Sequence, residues 1–67
     1  MIANRLKAKI IEKGFTVTEV TKAVGMTNTT FWRKCKGISE FTLKEVKAFK
    51  DVLSLTDDEV RYIFFES

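Results

Sequence analysis

Apolar residues recur along the chain at three- and four-residue intervals: Leu6 and Ile10; Val20 and Val24; Phe31 and Cys35; Leu43, Val46, Phe49 and Leu53; Val60, Ile63 and Phe64. On an α-helix that spacing gathers the apolar side chains into one stripe, whereas a half-buried strand would alternate at every second residue. Strand-like alternation is missing. The pattern predicts an all-α chain with helices over residues 2–13, 17–24, 28–36, 43–53 and 57–65. The connections are short, so sequential helices are expected to pack on one another as a compact five-helix domain spanning 1–67.

The helix ends are written into the chain. Gly14, Gly25 and Gly37 each follow a segment of helical periodicity, where a residue tolerant of positive φ ends a helix at little cost. Three starts share one pattern: FTVTEV from Phe15, FTLKEV from Phe41 and LTDDEV from Leu55. In each, the threonine hydroxyl can accept from the backbone N–H three residues on, while the glutamate reaches back to the threonine N–H. That is a capping box, and the flanking apolar pair is a hydrophobic staple. A fourth start, MTNTTF from Met26, keeps the threonine and the staple but has Thr30 in place of glutamate. The likeness of FTVTEV and FTLKEV is one capping solution used again, since nothing beyond the hexapeptides matches.

Composition narrows the classes of function. With no histidine, one cysteine (Cys35), no glycine-rich phosphate loop and no nucleophile beside a base, the chain reads as neither an enzyme nor a metal protein, and no cofactor is expected. Cys35 shares the inner helix face with Phe31 and reads as a small buried hydrophobe. A single cysteine fits a reducing compartment, and no apolar run approaches a membrane span, so the expected location is cytoplasmic. Charge is distributed unevenly. Residues 1–50 hold eleven lysines and arginines against four glutamates, a balance of +7; residues 51–67 hold Arg61 against five acids, a balance of −4. A basic body with an acidic end suggests a surface that meets polyanions, unless the lysines only keep helices solvated.

The third helix is where this charge acquires chemistry. At roughly 100° per residue, Thr29, Trp32, Arg33 and Lys36 lie opposite Phe31 and Cys35, with Asn28 at the helix start and Lys34 flanking the core side. Such an outward face suits a DNA groove. Arginine can pair bidentately with guanine, asparagine with adenine, and threonine or tryptophan can touch thymine methyls. Thr30 fits the same picture, because a carboxylate there would repel phosphate from the helix N-terminus; it also reads simply as a tolerated residue. Trp32 reads either as a groove contact or as packing over a neighbouring helix.

The stretch FTVTEVTKAVGMTNTTFWRKCKG resembles the helix-turn-helix core of the phage repressor and Cro type, the XRE family. The match runs through Thr16, Glu19, Val20, Gly25, Thr27, Thr30, Phe31, Arg33 and Gly37, and continues through EFTLKEVKAFKDVLSL into DDEVRYIFF. The resemblance implies a lambda-repressor-like fold of five short helices with the helix-turn-helix at about 17–36. It implies a transcriptional regulator that binds double-stranded DNA, as a homodimer on a pseudo-palindromic operator. By it, Asn28, Thr29, Trp32 and Arg33 face the bases. Phosphate contacts fall to Thr16 and Thr18 at the start of helix two, to Thr27 and Thr30, and to Lys34, Lys36 and Ser39. Ile38 and Phe65 are the candidate dimer contacts.

Two positions depart from the family pattern. Val17 stands where a glutamine commonly clamps a phosphate, leaving Thr18 as the substitute. Thr21 stands where alanine is usual, and its hydroxyl can bond back to a helix carbonyl. Val17 and an exposed Trp32 keep a second reading open, a protein-interaction module such as an antirepressor that engages a repressor-type partner. An accessory domain using its lysines nonspecifically is a third.

Overall fold

A computed structural model describes the backbone of residues 2–66 and the side chains of residues 4–66. Within these the chain is all-helical: α1 (Ile2–Glu12), α2 (Val17–Val24), α3 (Asn28–Cys35), α4 (Leu43–Leu53) and α5 (Asp57–Val60). Each start follows from its cap. Thr16, Thr42 and Thr56 accept from the amides of Glu19, Glu45 and Glu59, and each glutamate accepts from the amide of its threonine, so all three capping boxes are formed. Thr27 caps α3 by accepting from the Thr30 amide, and its hydroxyl lies 3.0 Å from that of Thr30. The C-cap of α2 is Gly25 at φ 94°, a left-handed conformation that disfavours any Cβ. α4 ends without glycine: Ser54 itself takes φ 53°, and the Leu55 amide returns to the Lys50 carbonyl.

The last helix departs from the expected 57–65. Its α-helical hydrogen bonding stops at Val60, and residues Arg61–Phe65 continue as a π-helical turn closed by the Glu66 amide on the Arg61 carbonyl. Arg5 of α1 pins this widened turn. Its guanidinium donates to the carbonyls of Tyr62 and Glu66 at 2.6 and 2.8 Å and lies 4.1 Å from the centre of the Tyr62 ring. The turn brings Ile63 and Phe64 inward and leaves Tyr62 and Phe65 outside.

One core joins α1, α2, α3, α4 and the C-terminal turn: Leu6, Ile10, Val20, Phe31, Cys35, Val46, Phe49, Leu53, Leu55, Ile63 and Phe64, with Val60 of α5 packed against it. Phe49 sits among Phe31, Phe41 and Phe64 at centroid distances of 6.1, 5.6 and 5.9 Å, so the ring of α4 connects α3 to the C-terminal turn. Leu43 is a correction. Its spacing placed it on the core stripe, yet it is 67% exposed, because it opens α4 before the helix reaches the core. Val24 and Val60 are half-buried, while the staple residue Leu55 is buried.

Candidate nucleic-acid interface

Helices α2 and α3 are joined by residues 25–27, and α3 carries no acidic side chain. Its azimuths explain what each residue does. Thr29, Arg33 and Lys36 fall within a narrow arc opposite Phe31 and Cys35, and all three are exposed. Trp32 and Lys34 flank the arc on either side. Both are half-buried, each for its own reason.

Trp32 lies edge-on to Phe31, with centroids 5.0 Å apart and planes at 80°, and the Lys7 ammonium stands 5.9 Å from the centre of the Trp32 ring. One side of the indole therefore packs on the domain while the remainder stays accessible beside Arg33. Lys34 turns towards α4. Its ammonium donates to the Glu40 carbonyl at 3.1 Å and to Glu45 Oε1 at 2.7 Å, so two of its three donors are committed within the domain. Burial would raise the Glu45 carboxyl, but its bonds from Lys34 and the Thr42 amide outweigh that and leave it below the ordinary carboxylate range.

Asn28 occupies a different azimuth, facing back to α2. Its carboxamide nitrogen donates to Thr18 Oγ1 at 3.1 Å, and its oxygen accepts from Thr21 Oγ1 at 2.7 Å. Thr21 is 2% exposed and also places its hydroxyl 3.1 Å from the Thr18 carbonyl. Asn28 and Thr18 stay exposed. The three side chains thus form a bridge between the two helices. The tie from Asn28 to α2 is not predicted from the sequence; a threonine pair one turn apart on α2, preceding an asparagine at the next helix start, was the only available signal.

The remaining candidates cluster around the same helices. Thr16 and Thr27 are exposed at their helix starts with hydroxyls engaged as caps, and Thr30 is half-buried at the third position of α3. Ser39 is exposed and lines a groove with Lys34, Gly37, Phe41, Val46 and Phe65. That groove brings the two candidate dimer contacts to one region, since Phe65 (66% exposed) forms its wall and Ile38 (60% exposed) is flanked by Gly37 and Ser39.

Ion pairing sorts the cations. Lys9 bridges Glu12 and Glu59 at 2.8 and 2.7 Å, Lys50 pairs with Asp57, and Arg61 pairs with Asp58. The acidic C-terminal segment is thereby spent largely on α1, α4 and itself. Arg33 and Lys36 form no ion pair among the described residues. Cys35 is buried, and burial pushes its thiol up to about 11. No helix among the described residues is long and apolar enough to cross a membrane. Compared with protein-family models, curated proteins and solved structures, the chain matches none.

Proposed function

We propose that the chain is a sequence-specific double-stranded-DNA-binding transcriptional regulator of the phage repressor and Cro kind, with α2 and α3 acting as a helix-turn-helix and α3 lying in the major groove. The observation that carries this reading is the outer face of α3. Thr29, Arg33 and Lys36 are exposed on one arc, the two cations lack carboxylate partners among the described residues, and the helix bears no acid. A cation with no partner on the protein loses nothing intramolecular when it meets a phosphate or a guanine. Arg33 and Thr29 supply base choice, joined by Asn28 and the accessible part of Trp32. Lys36, Ser39 and the hydroxyl of Thr18 supply phosphate contacts.

Ile38 and Phe65 support a two-fold dimer, because they expose apolar area beside one groove. Two copies would set their α3 helices on half-sites about one helical turn apart. The antirepressor reading draws on the same apolar residues and on Val17, which is packed against the core and offers no polar group to a phosphate. It gains less from Trp32, one side of which is covered by Phe31.

The test is a selection of the purified protein against randomised duplexes, with binding repeated at two salt concentrations. Enrichment of a pseudo-palindrome, with affinity falling steeply as salt rises, is the expected result. No enrichment and no duplex retained at low salt would overturn the DNA reading in favour of a protein partner.

A further inference from the structure

We propose that buried Thr21, assisted by Thr18, is a positioning residue that fixes the carboxamide of Asn28 and thereby sets the base that Asn28 accepts. The inference rests on the DNA-binding reading above and adds to it a determinant that never touches DNA.

The distances favour one orientation of the amide. The Thr21 hydroxyl has one proton and two acceptors in reach, the Thr18 carbonyl at 3.1 Å and Asn28 Oδ1 at 2.7 Å. The shorter distance is the ordinary one for O–H···O and the longer lies outside that range, so the proton goes to Asn28. The separation of 3.1 Å between Asn28 Nδ2 and Thr18 Oγ1 is ordinary for N–H···O. Oxygen towards Thr21 and nitrogen towards Thr18 is therefore the orientation that both distances support.

This orientation has three effects. First, turning the amide over would send the Thr21 proton to the longer contact with the Thr18 carbonyl and would place Nδ2 2.7 Å from a hydroxyl oxygen, at the short limit for N–H···O. Second, one N–H and one lone pair of the amide stay unbonded within the domain, and these are what Asn28 has to offer a base edge. Third, the chain of bonds has a direction: Thr21 donates to Asn28, Asn28 donates to Thr18, and the proton of the Thr18 hydroxyl is left for an outside acceptor. Accepting on its oxygen polarises the N–H of an amide, and each bond strengthens the next. The chain ends in an exposed donor near the start of α2, suited to a phosphate oxygen, where Val17 supplies none. Base choice and one backbone contact are thus linked through a residue that is 2% exposed.

The experiment compares Thr21→Val, which removes the hydroxyl at nearly constant volume, with Thr21→Ser, which keeps it, and with Thr18→Val at an exposed position that leaves the core alone. Each variant and the parent are run through the randomised-duplex selection, and melting temperatures are recorded. The parent and Thr21→Ser should enrich one site. Thr21→Val should enrich a site that loses its preference at one base pair per half-site, a discrimination of about 5- to 100-fold falling towards parity, with other positions unchanged. Thr18→Val should relax the same position and also weaken binding to every sequence. A Thr21→Val profile identical to the parent would overturn the proposal and leave the DNA reading standing. So would an even loss at all positions that tracks a lower melting temperature. A parent that enriches nothing would overturn both, and that failure is recognised separately, since the Asn28 side-chain amide resonances would still move in free Thr21→Val.

Discussion

Lys34 of α3 donates to Glu45 Oε1 of α4 at 2.7 Å, and the same oxygen accepts from the Thr42 amide at 2.8 Å. One carboxylate atom therefore closes the capping box of α4 and anchors the helix that presents Thr29, Arg33 and Lys36. A residue whose sequence context suggested a phosphate contact is thereby drawn into holding the angle of its own helix.

Lys34→Met, which keeps most of the stem, should lower stability by about 1 kcal/mol, the usual scale of a charge-assisted bond near a surface. The salt dependence of DNA binding should barely change. Lys36→Ala should do the reverse, leaving the melting temperature near the parent's and making the slope of log K against log salt shallower by about 0.9 for the phosphate no longer neutralised. Arg33→Ala should also melt near the parent's temperature, but its mark should be a lost preference at one base pair per half-site. Thermal melts and binding at several salt concentrations separate the two classes.

Thr30→Glu should fold within about 0.5 kcal/mol of the parent, because glutamate at this helix position completes the capping box already formed at the other three threonine caps. Duplex affinity should fall about 5- to 10-fold as the carboxylate meets phosphate at the start of α3. Circular dichroism melts and a titration against a selected duplex read both effects.

Acid should weaken the fold in a defined window. The bond from Lys9, aided by the Thr56 amide, pulls the Glu59 carboxyl down to about 2, and Asp57 is lowered by Lys50. A carboxyl depressed in the folded state binds its proton more readily when unfolded. Its stabilisation is present above the unfolded value near 4 and is lost as pH falls towards 2. Urea midpoints should therefore hold steady from pH 7 to 5 and drop between 4 and 2; Glu59→Gln should flatten that drop.

Cys35 should resist alkylation. With its thiol raised to about 11 by burial, the thiolate fraction at pH 8 is on the order of a hundredfold below that of an ordinary cysteine. Native protein should react with iodoacetamide at least that much more slowly than protein in urea. Because the raised value belongs to the folded state, the stabilisation is full below the unfolded value near 8.5 and declines as pH rises towards 11.

The polar substitutions Ile38→Ser and Phe65→Ser should leave the monomer folded, as both side chains are largely exposed. If these residues hold a two-fold dimer, each variant should bind a single half-site as the parent does and lose the added affinity of the full site. Sedimentation and half-site titrations check this.

Much of the fold was legible because its signals are local. A threonine hydroxyl and a glutamate three residues on are fixed to one another by helix geometry, so the boxes at Thr16, Thr42 and Thr56 could be read without knowing the packing. Most of the core followed from periodicity. The failures lie where the outcome depends on distant partners. Leu43 has the right spacing but stands at a helix start beyond the core. The π-helical turn after Val60 answers to Arg5 and to the need to bury both Ile63 and Phe64, which no local pattern encodes. In the candidate interface, the exposed arc of Thr29, Arg33 and Lys36 was legible from the helical repeat. The Thr21–Asn28–Thr18 bridge was not, because it depends on how two helices meet.

We propose the outer arc of α3 as the surface that meets DNA, and chemical-shift mapping of backbone and side chains during titration with a selected duplex decides it. The largest perturbations are expected at Thr29, Arg33, Lys36, the Asn28 carboxamide and the Trp32 indole N–H, while Arg5, Lys9 and Tyr62, which line a groove between α1 and the C-terminal segment, stay silent. Perturbations centred on Arg5, Lys9 and Tyr62, or spread evenly over every exposed lysine with none favouring α3, would contradict it.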